Sequence, residues 1–280
     1  MTGQLAAIGA ALSWTLASGL WRSVSGAGSA LTLNGLKNGL ACLLFLPVLL
    51  TIPWLDNKDA VIGLLLSGAI GIAAGDSFYL AALRRLGTRR TLTVEALGPV
   101  LASIGSVVMM GEMLSSRAWI GAALVTVAVM LVAGSGEANS RDSAGVLLAL
   151  TAVICGLTGA FLARQVLISS GLSPIQTAAI RLLGGWLALL PVLGRSGGSC
   201  WPMPATGRIR ILVATALGTN LGIALQQLVF QQMAVGPGVT LMSTAPVMAL
   251  CIGHWEGDPI QARGVVAAGL AVAGVACISL

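Results

Sequence analysis

The chain has 280 residues, 56% of them hydrophobic and only 9% charged, with a mean hydropathy of +0.95. Soluble domains carry about 25% charged residues, so a soluble globular fold is excluded, and apolar runs follow one another with hardly any soluble sequence between them. The net charge of +6, from 15 Lys and Arg against 9 Asp and Glu, fits loop arginines facing anionic headgroups and gives no ground for a nucleic-acid partner.

A hydrocarbon layer takes about 20 apolar residues to cross as a helix. On that measure the first span is predicted at 3–22, where "MTGQLAAIGAALSWTLASGL" lacks the basic start of a signal peptide and is expected to be retained as a helix. The second, 29–52, contains "NGLKNGLACLLFLPVLL", with Asn34, Lys37 and Asn38 ahead of Pro47. The third, 59–83, brings Gly71 and Gly75, then Asp76, Phe78 and Tyr79, and the fourth, 90–110, brings Thr91, Glu95 and Pro99. After a fifth span at 116–134 comes the most polar internal stretch, "GSGEANSRDSAG". Five more spans are predicted at 144–166, 174–194 (Arg181, Pro191), 209–232 (Asn220, Gln226, Gln227, Gln231), 237–253 (Pro246) and 260–280.

The two sets of five resemble each other. "SWTLASGLWRSV" aligns with "CGLTGAFLARQV", which places Arg22 on Arg164, and "LKNGLACLLFLPVLL" aligns with "IRLLGGWLALLPVLG", which places Lys37 on Arg181 and Pro47 on Pro191. "GIAAG" meets "GTNLG", and the same register carries Pro99 onto Pro246. The reading is an all-α integral membrane fold with repeats at 1–136 and 143–280. Because five is odd, the second repeat enters the bilayer from the opposite side, the arrangement of many secondary transporters.

Ionisable groups at bilayer depth cost about 2.5–3.5 kcal/mol each on insertion scales and so face protein or water and find partners. Lys37 and Arg181 are therefore read either as counter-ions of a substrate carboxylate or as structural locks on Asp76, Glu95 or backbone carbonyls, and Arg22 and Arg164 are placed in the same class of locks or counter-ions. Asp76 and Tyr79 share one helix face, as do Thr91 and Glu95. The repeat register sets Ile223 and Met242 opposite the two acids, which marks Asp76 and Glu95 for asymmetric work such as substrate or proton binding. Asn220, Gln226 and Gln227 either bind a zwitterion or bridge helices, and Trp14, Phe78 and Tyr79 either face a substrate or pack. Pro99 and Pro246 are expected to break their helices.

Catalytic chemistry has no carrier. One histidine, His254, and five scattered cysteines without CxxC spacing make no metal or redox set, and no P-loop, GxSxG or HExxH occurs. No cofactor, metal or catalytic residue is expected.

The same residues resemble the EamA type of the drug/metabolite transporter superfamily over nearly the whole chain. The resemblance rests on Ser13-Trp14, the basic residue ahead of a proline in the second and seventh spans, "GDSFYLAALRRLGTRRTLTVEALGPV", and "GEMLSSRAWIGAALVTVAVMLVAG". The second half departs from it, with Trp255 before Glu256 where Gly-Glu is expected. What the resemblance implies is a basket of ten helices around a cavity lined chiefly by spans 1, 3, 4, 6, 8 and 9. It further implies alternating access and export of small metabolites, amino acids foremost, from a bacterial inner membrane. Expected partners are a small-molecule substrate, membrane lipid and, in one reading, protons, with the chain a monomer or weak homodimer. Other metabolite classes, such as nucleosides, sugar derivatives or cationic drugs, stay open, as do a membrane-embedded enzyme and a channel. Basic residues concentrate at the odd-numbered loops, which by the positive-inside rule puts both termini outside, whereas the resemblance puts them in the cytoplasm.

Overall fold

The computed structural model describes residues 1–22, 30–133, 142–195, 205–249 and 262–279, and the regular structure among them is entirely helical. In chain order the helices are α1 (Thr2–Arg22), α2 (Ala30–Leu44), α3 (Lys58–Gly87), α4 (Thr91–Met110), α5 (Ser116–Ala133), α6 (Ser143–Ser169), α7 (Pro174–Arg195), α8 (Thr206–Gln232), α9 (Val235–Met242) and α10 (Ala262–Ser279). By length and composition α3, α4, α6, α8 and α10 can cross a membrane, and α5 is a shorter apolar helix.

On α1, residue size sorts inside from outside. The alanines Ala6, Ala7, Ala10, Ala11 and Ala17 are buried, while Leu5, Ile8, Leu12 and Leu16 are exposed. Water would drive the large apolar side chains inward; lipid tails do not, so small residues take the interior and let backbones approach. The polar interior, which includes Asn34, Asn38, Ser67, Arg181 and Gln227, fits the same hydrocarbon surround.

Two helices carry a π-helical turn near their middle, α3 over Ala69–Gly75 and α8 over Thr215–Leu221. The wider i→i+5 turn recurs at functional sites. Gly71 and Gly75 lie in the first, with their open faces on Gly159 and Gly156 of α6. Gly218 lies in the second, against Ala17 of α1. Thus α3 packs on α6 and α7, α8 packs on α1 and α2, α4 packs on α9, and α5 packs on α10.

The prolines act differently from one another. Pro99 sits in the first turn of the helix resumed at Gly98, after a break at Ala96–Leu97, where its missing N–H has no partner to lose. Pro246 likewise follows a turn at Ser243–Thr244, with residues 245–249 helical again. Pro47 starts a short helix, Leu46–Leu49, beyond an interruption at Phe45, but its counterpart Pro191 stays inside α7.

Asp142 joins α3 to the start of α6. Its carboxylate caps α6 by accepting from the Gly145 N–H at 3.0 Å and pairs with Arg85 Nε at 2.9 Å. The Arg85 hydrogen bond, then the Gly145 N–H, hold its pKa below the usual value for aspartate. Its contribution to folding is present above the ordinary pKa and is lost as pH falls through the lowered one.

Candidate functional site

A cavity of about 350 Å³ opens at the seam between the two halves, walled by α1, α2 and α3 on one side and α6, α7 and α8 on the other. Ligand sites span about 300–1,000 Å³, so this one suits a single small metabolite. The π-helical turns of α3 and α8 both reach it, through Gly71 and Ile72 and through Gly218 and Thr219. Trp14, Ile72 and Ile223 supply apolar surface, and Lys37, Asp76, Arg181 and Gln226 supply the polar groups.

Lys37 is positioned by the polar stripe of α2. Asn38 donates to Asn34 Oδ1 at 3.1 Å, and Asn34 donates to the Ile72 carbonyl at 3.4 Å, fixing that face of α2 on α3. Lys37 Nζ then reaches Asp76 Oδ2 at 2.6 Å, the two side chains being 22% and 39% exposed.

Arg181 is far more enclosed, at 3% exposure. Its Nε donates to Ser67 Oγ at 2.9 Å and its Nη1 to Gln226 Oε1 at 3.2 Å. Ser67 donates in turn to the Gly159 carbonyl at 2.7 Å, and Gln227 reaches Gln226 Oε1 at 3.4 Å. Both acceptors of Arg181 are neutral, and among the described residues no carboxylate lies within ion-pairing distance of it.

Of the residues singled out from sequence, Trp14, Lys37, Asp76, Arg181 and Gln226 come together here. Phe78, Tyr79 and Glu95 do not line the cavity. Asn220 is buried and bridges α8 to α2 by donating to the Ala41 carbonyl at 2.9 Å, and Gln227 is fully buried. The wall itself corrects one expectation, since α2 and α7 contribute to it and α4 and α9 do not. The cause is side-chain length: the amine of Lys37 and the guanidinium of Arg181 extend from flanking helices to meet Asp76 and Gln226. Sequence reasoning missed Ser67, Ser18, Thr219 and Gly156, whose small or weakly polar side chains carry no signal in an apolar chain.

A second polar cluster ties α4 to α6 and α8. Gly111 ends α4 in the left-handed region at φ 64°, with the Glu112 N–H bonded to the Ser106 carbonyl at 3.1 Å, a glycine-dependent C-terminal stop. That turn aims Glu112 at Arg164, which donates to Glu112 Oε1 at 3.2 Å and to the Phe230 carbonyl. The Gly-Glu dipeptide is thus explained as a helix stop plus an interhelix ion pair. Pro99 and Pro246 stand at helix breaks away from the cavity, and the Arg22 side chain and Glu256 lie outside the described residues.

Comparison with known proteins agrees with this architecture. The EamA-like transporter family matches at residues 1–134 and 143–280. An uncharacterised transporter of Archaeoglobus fulgidus is 32% identical over 151 residues, which are 53% of this chain and 53% of that one, so the match spans about half the length of the relative. A crystal structure superposes with a TM-score of 0.82 over 98% of this chain and 95% of its own, at 17% identity, a likeness of fold alone. With the family matched over both halves, the chain belongs to the EamA-like transporter family.

Proposed function

We propose that the protein is a ten-helix secondary transporter of the bacterial inner membrane that exports small organic metabolites, with amino acids as the leading class, by alternating access. Its repeats are taken as 1–136 and 143–280, inverted in the bilayer. Support comes from the exchange of partners between halves, in which α3 lies on α6 and α7 as α8 lies on α1 and α2.

The observation that carries the reading is the position of the cavity. Three helices of each half wall it, with a π-helical turn from each side, so rocking one half against the other would open it to either face. Its polar groups include both signs of charge, Lys37 and Arg181 against Asp76, beside the indole of Trp14, which suits a small zwitterion or anion with an apolar tail. Facilitated exchange requires no titrating group, whereas a proton-coupled mode would draw on an acid such as Asp76 or Glu95.

Counterflow in proteoliposomes tests it. Vesicles preloaded with an unlabelled amino acid should transiently concentrate the labelled one, saturably, and unloaded vesicles should not. Silence across amino acids with exchange of nucleosides or organic cations would replace the substrate class. Silence across every class would end the transporter reading.

A further inference from the structure

We infer that the cavity is a receptor for a small monocarboxylate, whose carboxylate seats on the Arg181 guanidinium. The inference rests on the transporter reading above and names the substrate class of that same cavity.

Charge and burial carry the argument. A guanidinium stays charged in a protein, and a buried charge ordinarily has an opposite charge beside it, because hydrogen bonds to neutral groups only partly replace its hydration. Arg181 is 3% exposed, and its described acceptors are the hydroxyl of Ser67 and the amide oxygen of Gln226. Lys37 cannot play the same part, since it already has Asp76 at 2.6 Å. Among the described residues, the charged ones lining the cavity are Lys37, Asp76 and Arg181, one positive charge in excess.

With Asp76 beyond ion-pairing distance and held by Lys37, a substrate anion would sit on the side of Arg181 that faces the cavity. The planar fork of the guanidinium matches a carboxylate geometrically, with two parallel N–H···O bonds. Trp14, Ile72 and Ile223 then receive an aliphatic or aromatic remainder. An α-ammonium is not required, because Asp76, the one carboxylate of the lining among the described residues, is held by Lys37. A monoanion therefore satisfies the site more fully than a zwitterion, and an amide without the carboxylate leaves Arg181 as it was.

The test is counterflow with three molecules of matched shape: leucine, its keto-acid analogue and leucinamide. The keto acid should exchange at least as well as leucine, and leucinamide about tenfold or more weakly, tenfold being about 1.4 kcal/mol. Leucinamide exchanging as well as leucine overturns the inference, and so does a keto acid that fails where leucine exchanges. Exchange of nucleosides or organic cations with none of these three overturns it while leaving a transporter. Silence of every class removes both.

Two variants extend the test within one protein sample. In Arg181→Gln the ratio of leucinamide to leucine exchange should rise toward one, while Arg181→Lys should keep the preference for the acid. Because each ratio is internal to one preparation, reduced folded yield does not disturb it. A glutamine variant that discriminates as the parent does overturns the inference.

Discussion

Gly68→Val is expected to leave little or no folded protein in detergent extracts. A Cβ at Gly68 would land on the carbonyl oxygen of Arg181, and one at Gly184 on the carbonyl of Leu65. The backbones of α3 and α7 thus touch directly at two points. On the other side of α3, a Cβ at Gly159 of α6 would come within 2.8 Å of the Ser67 carbonyl and 2.9 Å of Gly71 Cα. A clash with a flexible side-chain tip can be relieved by a rotamer change. Here the obstacles are backbone, fixed by the helices that carry them, so α3 must move off α7 and take Ser67 away from Arg181. The cost should reach or exceed the upper end of the about 1–3 kcal/mol typical of overpacking. Gly269→Ala is the control, since a Cβ there meets nothing within 4 Å. Size-exclusion profiles and thermal melts of the two variants decide the matter, and a valine variant with parental yield and melting temperature would refute the contact.

Lys37→Ala should do the reverse, sparing the fold and stopping transport. Its ion pair with Asp76 is short, at 2.6 Å, but the side chains are 22% and 39% exposed to the cavity. Pairs that water reaches contribute about 0–1 kcal/mol, so the pair is a weak lock and folded yield should stay near that of the parent. Transport depends on something else. Without the ammonium the cavity loses its excess positive charge, and Asp76 is left facing whatever anion Arg181 would hold. Exchange per folded molecule should fall about tenfold or more, and Lys37→Arg should restore part of it. Collapse of yield with exchange per molecule intact would instead make Lys37 a structural lock.

Much of the fold was legible in the sequence because a bilayer imposes a simple rule of length and polarity. The predicted 116–134 and 174–194 correspond to Ser116–Ala133 and Pro174–Arg195. The alignment of "GIAAG" with "GTNLG" pointed to two segments that turn out to be π-helical, yet nothing in their composition distinguishes a π turn from an α turn. That geometry follows from tertiary packing of Gly71 on Gly159 and of Gly218 on Ala17. The pairing of Lys37 with Asp76 was among the alternatives open from sequence. The Arg181 partners were not, because an acidic or carbonyl acceptor was the natural expectation for a buried guanidinium. Its actual acceptors are a serine and a glutamine whose proximity depends on how closely α3 approaches α7. Prolines were a partial guide: Pro47, Pro99 and Pro246 stand at interruptions, whereas Pro191 is accommodated inside its helix.

The central claim, that this cavity is exposed to the two sides of the membrane in turn, is tested most directly at Gly156. That residue lines the cavity, and a Cβ there meets nothing within 4 Å, so Gly156→Cys should fold in a background where Cys42, Cys155, Cys200, Cys251 and Cys277 are replaced. A membrane-impermeant maleimide should label this thiol from either face of oriented vesicles. A transported substrate should protect it, and an opposing substrate gradient should shift labelling from one face to the other. Labelling from a single face, unchanged by substrate and by gradient, would contradict alternating access through this cavity.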